Sequence, residues 1–132
     1  MTIFDYVKKF IIKFNFKLRA NDPDILNKLD FAVNVLIMEE VNELVEALDK
    51  KDSEEFVDAL GDISWLCIKL MYQVDVNPYQ VFRQIGEANL SKVRGIKTTR
   101  DNSKGFDVIK PNGWIGPDHN NNHGMLDEIF KK

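Results

Sequence analysis

Carboxylates set inside what otherwise reads as the apolar face of a helix constrain this chain more than any other feature. Apolar residues recur at Leu26, Leu29, Val33, Leu36, Ile37, Leu44 and Leu48, which is helical spacing. Glu40 falls within that stripe, between Ile37 and Leu44, and Glu43 flanks it one turn on. Further along, in Asp58-Ala59-Leu60-Gly61-Asp62, the two aspartates are four apart and share a face. Asp62 is neighboured by Ala59, Ile63 and Leu66. Two such helices packed side by side bring four carboxylates together next to a hydrophobic seam. Like charges so placed repel unless something positive sits among them. A hard divalent cation meets that need. Spacing alone also admits the blander reading, an acidic helix face turned to solvent.

With 132 residues the chain has the size of one domain, long enough to bury its own core. Hydrophobic content of 44% and aromatic content of 11% fit a globular protein rather than a disordered one. A net charge of −3, with both signs interspersed, offers no nucleic-acid or membrane surface. The lone Cys67 lies in the apolar run Ile63 to Ile68 and reads as a buried thiol. Lys8, Lys9 and Lys13 interrupt the N-terminal apolar residues, which is no signal-peptide pattern. No apolar run approaches the roughly 18 residues of a membrane span. A cytoplasmic protein is expected.

The first stripe, Ile3, Val7, Phe10, Ile11, Phe14 and Leu18, predicts a helix over 2–19. Lys9, Lys13 and Lys17 line its other side, either solvated or leaning toward an anionic ligand. Asp22 and Pro23 suit the cap and first position of the next helix, which runs to about Asp49. Asp52, with Glu55 three residues on, has the spacing of a capping box and opens a third helix reaching about Val74. Asn77-Pro78 repeats the cap-then-proline signal and predicts a fourth helix over 78–92. Residues 93–124 hold five glycines and two prolines with no helical period. Such a stretch is a lid, a binding loop, disorder, or a segment lying on a neighbouring subunit. Asp107-Val108-Ile109 reads as a short extended piece and Met125 to Phe130 as a last short helix. The division expected is a helical core over 1–92 and an extension over 93–132.

These residues carry a family likeness. Glu39-Glu40-x-x-Glu43 followed by Asp58-Ala59-Leu60-Gly61-Asp62 resembles the metal signature of the all-α nucleoside triphosphate pyrophosphohydrolases. That superfamily holds MazG, the dimeric dUTPases and phosphoribosyl-ATP pyrophosphohydrolase. Asn89-Leu90-Ser91-Lys92, then Val108-Ile109-Lys110-Pro111-Asn112-Gly113-Trp114-x-x-Pro117-Asp118, is similar to the tail of the MazG-like, phosphoribosyl-ATP pyrophosphohydrolase-like branch. Two departures stand out. Ala59 occupies the glutamate position of the commoner E-x-x-D motif, so Asp58 would serve instead. Phe10-Ile11-Ile12-Lys13-Phe14-Asn15 also lacks the histidine of the F-H-x-x-F-G element seen in relatives.

The resemblance implies an all-α protein with a four-helix, MazG-like core and an irregular C-terminal extension. It further implies Mg²⁺-dependent hydrolysis of a (deoxy)nucleoside triphosphate to a monophosphate and pyrophosphate, clearing the nucleotide pool. Mg²⁺ takes oxygen ligands, and Mn²⁺ is a substitute. Glu40, Glu43, Asp58 and Asp62 are the expected metal ligands. Glu40 and Glu39 are the expected catalytic residues, with Glu39 orienting or deprotonating water, although it sits about 100° from Glu40 on a helical wheel and also reads as a solvated glutamate. Asn89, Lys92 and Lys110 are expected at the substrate. Trp114 either stacks on a base or anchors the tail. Relatives form homodimers or homotetramers, and the same is expected here, with no nucleic-acid or membrane partner. Hydrolysis of phosphoribosyl-ATP itself has less support, because that enzyme's C-terminal basic pattern is missing. The competing class is a non-catalytic helical module that binds a metal or nucleotide, or only mediates association.

Overall fold

Helix ends in this chain are set by side chains that satisfy the open backbone groups. α1 (Ile3–Phe14) begins at Thr2, whose hydroxyl accepts from the Asp5 N–H at 3.3 Å while the Asp5 carboxylate accepts from the Thr2 N–H at 2.9 Å, a reciprocal cap. It stops at Asn15, which takes the left-handed conformation at φ 56°, an ordinary helix-ending role for asparagine. That is earlier than the apolar stripe predicts. Phe16 and Leu18 leave the helix and tie to the end of another one: the Leu18 N–H donates to the Gln73 carbonyl at 3.1 Å. The Gln73 amide answers by donating to the Phe16 carbonyl at 2.7 Å. The computed structural model describes residues 1–96 and 107–131.

α2 (Ile25–Asp30), a π-helical segment (Phe31–Ile37) and α3 (Met38–Lys50) then follow without a break. The start differs from the expected cap. Asp22 accepts the N–H of Asp24 at 2.8 Å, closing a turn around Pro23, and α2 begins only at Ile25. Lys51, left-handed at φ 56°, ends α3. Asp52 caps α4 (Ser53–Gln73) as its spacing predicts, accepting from the Glu55 N–H at 3.1 Å. The short turn folds α4 back against α3, and α1 packs on α4. α5 (Pro78–Leu90) starts at the predicted proline. β1 (Val93–Arg94) pairs antiparallel with β2 (Val108–Ile109), Val93 opposite Ile109. α6 (Leu126–Phe130) closes the chain. Among the described residues the protein is all-α apart from this two-stranded ribbon. Gly105, one of the extension's glycines, lies outside the described residues. No helix among those described is long and apolar enough to cross a membrane.

The chain divides into two compact units, Met1–Pro78 with His123–Lys132, and Tyr79–Asn122. In the first, Val7 and Ile11 of α1 and Ile68 of α4 form a core, with Phe4, Trp65 and Tyr72 against it. Trp65, half-buried against that core, meets Phe10 edge-on at 5.5 Å between centroids. Cys67 is half-buried, and burial pushes its thiol up from the ordinary value. Lys9 and Lys13 are exposed and Lys17 pairs with Asp75, which favours the solvated reading of that face. Ile129 of α6 is fully buried, and the Met125 N–H donates to the Val74 carbonyl at 2.9 Å.

Gly124 makes that return possible. It sits at φ 56°, and a Cβ there would overlap the Val74 carbonyl oxygen. Gly124→Ala combines a left-handed backbone penalty with a clash against main chain. We expect a loss of about 2 kcal/mol or more, read as a lower urea midpoint at unchanged m-value. A midpoint within error of wild type would show that α6 does not depend on this turn.

Candidate metal and nucleotide site

The four carboxylates expected together are brought together. Glu40 and Glu43 come from α3, and Asp58 and Asp62 from α4. Helical spacing aims each pair toward the neighbouring helix, and the short Lys51-Asp52 turn sets the two helices side by side. Glu40 and Asp62 are half-buried, Glu43 and Asp58 exposed.

Their electrostatics derive from that placement. Burial, then the hydrogen-bonding reach and charge of Glu43, then the charges of Asp62 and Asp58, push the Glu40 carboxyl up to about 7. Burial and the Asp58 charge likewise hold Asp62 above the ordinary carboxylate range. One oxygen, Oε2 of Glu40, is buried with no hydrogen-bond partner. Proteins rarely leave a buried polar atom orphaned without a functional reason.

An orphaned oxygen among hard carboxylate donors fits a hard divalent cation. As the side chains stand, no group of three or more His, Cys, Asp or Glu among the described residues is placed to hold an ion. The carboxyls instead approach one another pairwise, Glu40 toward Glu43 and Asp62, and Asp62 toward Asp58. That is how neighbouring acids behave when a proton rather than a metal relieves their repulsion. A bound ion would have to turn these side chains toward a common point.

Glu39 is exposed. Glu46, Asp49, Glu54 and Glu55 are exposed, and Glu46 pairs with Lys50 at 2.6 Å. Periodicity missed the π-helical segment just before α3. Its wider turns hold extra residues, and each one rotates the downstream helix by about 100° relative to a regular one. It therefore sets which way Glu39, Glu40 and Glu43 face. No sequence signal for it stands out among Phe31 to Ile37.

The remaining expected residues lie in the second unit. Asn89 is on the last turn of α5 and exposed; Lys92 comes just after that helix and Lys110 just after β2. Both lysines lie over the ring of Trp114, Lys92 Nζ at 5.3 Å and Lys110 Nζ at 4.9 Å from its centroid. Trp114 anchors the tail, its Nε1–H donating to the Ala88 carbonyl at 2.8 Å. His119 and His123 are half-buried. His123 Nδ1 lies 3.1 Å from the Asp127 carboxylate, and Nδ1 of His119 is buried with no hydrogen-bond partner.

Two comparisons bear on this arrangement. The sequence profile of the phosphoribosyl-ATP pyrophosphohydrolases matches residues 15–89, a span holding all four carboxylates and ending on Asn89. No curated protein matches the chain.

Proposed function

Because the chain belongs to the phosphoribosyl-ATP pyrophosphohydrolase family, and is thus a hydrolase of the pyrophosphohydrolase kind, we propose that it cleaves a (deoxy)nucleoside triphosphate between the α and β phosphates. The products are a nucleoside monophosphate and pyrophosphate, and the role is clearance of unwanted nucleotides. Glu40, Glu43, Asp58 and Asp62 would hold Mg²⁺, or Mn²⁺ in its place. Such an ion supplies charge neutralisation at the phosphates and a more acidic water.

The observation that carries this reading is the buried, partnerless oxygen of Glu40 among three other carboxylates. A group so placed destabilises the fold unless it is used. The chain's own contribution would be to hold these acids on two packed helices, leaving side-chain rotation toward a common point as the step that ion binding completes. Glu39, exposed and one residue from Glu40, is assigned to orient the attacking water. Lys92 and Lys110 are assigned to phosphate oxygens and Asn89 to a phosphate or sugar hydroxyl. Exposed Val45 and Leu48 on α3, with Val57 and Leu60 on α4, favour a homo-oligomer that covers them.

The family description favours a second substrate, phosphoribosyl-ATP, with the same bond cleaved. The test is pyrophosphate release across ribo- and deoxynucleoside triphosphates and phosphoribosyl-ATP, with pyrophosphatase and malachite green. Mg²⁺-dependent release that falls about a hundredfold or more in Asp62→Asn is expected. Absence of release from every substrate would leave a non-catalytic metal- or nucleotide-binding module.

A further inference from the structure

Lys92, Lys110 and Trp114 come from three separate places in the second unit, the end of α5, the residue after β2 and the turn beyond it, and they converge. The indole is the fixed member. Its Nε1–H is bonded to the carbonyl of Ala88, a buried residue of α5, and its own backbone N–H donates to the Pro111 carbonyl at 3.0 Å. Gly116 lets the main chain pass the ring edge, because a Cβ there would lie 3.2 Å from Cζ3.

Onto this ring lean two ammonium groups, at 5.3 and 4.9 Å from its centroid. A cation over an indole gains about 0.5–1 kcal/mol at an exposed site. That is enough to hold each lysine near the ring against a like charge screened by water. Among the described residues, neither lysine has a carboxylate within ion-pair distance. Lys17, Lys28 and Lys50, by contrast, are each paired with an acid, Asp75, Asp22 and Glu46. The two lysines on Trp114 therefore keep their charge available to a ligand. Their distances to the shared centroid put at most about 10 Å between the two nitrogens, so an anion with several phosphoryl groups is long enough to reach both.

We infer that Trp114 is a positioning residue that gathers Lys92 and Lys110 into one two-ammonium site for a phosphate chain. The inference rests on the proposed function only in naming the substrate's phosphates as its occupant. The site itself requires no catalysis, so it can be tested apart from the reaction.

The experiment titrates the full-length protein with inorganic tripolyphosphate by calorimetry, for wild type, Trp114→Leu, Trp114→Phe, and Lys92→Gln with Lys110→Gln. Binding is expected in wild type, to weaken about tenfold in Trp114→Leu, and to recover most of that loss in Trp114→Phe, which keeps a π face without the N–H. The double lysine variant should abolish binding whatever becomes of the tryptophan variants. For a hydrolysed nucleotide, Trp114→Leu should raise KM about tenfold and change kcat by no more than about twofold. Three results overturn the inference: no tripolyphosphate binding by wild type, unchanged binding in the double lysine variant, or Trp114→Phe binding as poorly as Trp114→Leu. If the binding pattern holds while no nucleotide is hydrolysed, the anion site stands and the catalytic reading falls.

Discussion

Glu40→Gln is expected to cost about a thousandfold or more in pyrophosphate release while making the metal-free protein more stable at pH 8. The first effect comes from removing a ligand oxygen from the charge-neutralising set, where several kcal/mol of transition-state stabilisation are at stake. The second comes from linkage. In an unfolded chain Glu40 titrates near its ordinary 4.5, and in the fold it is pushed up to about 7 by burial and by Glu43, Asp62 and Asp58. Between those values the folded state holds a proton that the unfolded state has released, so stability falls as pH rises. Below the window both states are protonated, and above it the full penalty is present. At face value the penalty is roughly 3 kcal/mol, and about half that once partial solvent screening is allowed. Glutamine keeps the shape and carries no charge to desolvate. Its thermal midpoint should therefore match wild type at pH 4 and exceed it at pH 8 by roughly 5 °C. A variant less stable than wild type at pH 8 would mean that Glu40 is paired in the apo protein rather than strained. A functional group that destabilises its own fold is the usual trade between stability and activity.

The parts of this fold that were legible in the sequence are those governed by local chemistry. Asp52 caps α4 because its carboxylate reaches the Glu55 N–H, and α5 starts at Pro78 because proline has no N–H to lose there. Glu40 stood out because it interrupts an apolar stripe, and the structure half-buries it beside three other carboxylates. The end of α1 was not, because the stripe continues to Leu18 while Asn15 turns left-handed and α4 captures the next segment through Gln73. The π-helical segment was hidden for a different reason. Phe31, Val33, Val35, Leu36 and Ile37 suit a regular helix equally well, and the extra residue shows only in which atoms bond. The cluster on Trp114 is illegible in any local reading, since its three members meet only through the ribbon and the turn at Pro111. At the end of α1 and at Trp114, contacts with residues distant in sequence overrode what local spacing had set.

Mg²⁺ should reverse the loss of stability that rising pH imposes on the metal-free protein. Above about pH 7, where Glu40 has released its proton, a cation that binds the folded state at a hundred times its Kd adds about 2.7 kcal/mol. For a chain of this size that is roughly 10 °C in thermal midpoint. At pH 5 the same cation competes with the proton on Glu40 and the gain should shrink to a small fraction, because ligands must be deprotonated to bind. EDTA should remove both the gain and the pyrophosphate release, and excess Mg²⁺ should restore both. Glu40→Gln isolates the cause. If the ion and the proton occupy the same cluster, the variant loses the pH slope and the Mg²⁺ gain together, since one carboxylate answers for both. A Mg²⁺ gain that is equal at pH 5 and pH 8, or that survives in Glu40→Gln, would place the ion elsewhere. The four acids would then be left with a proton as their only relief, and α3 and α4 could not supply the metal chemistry that the proposed hydrolysis needs.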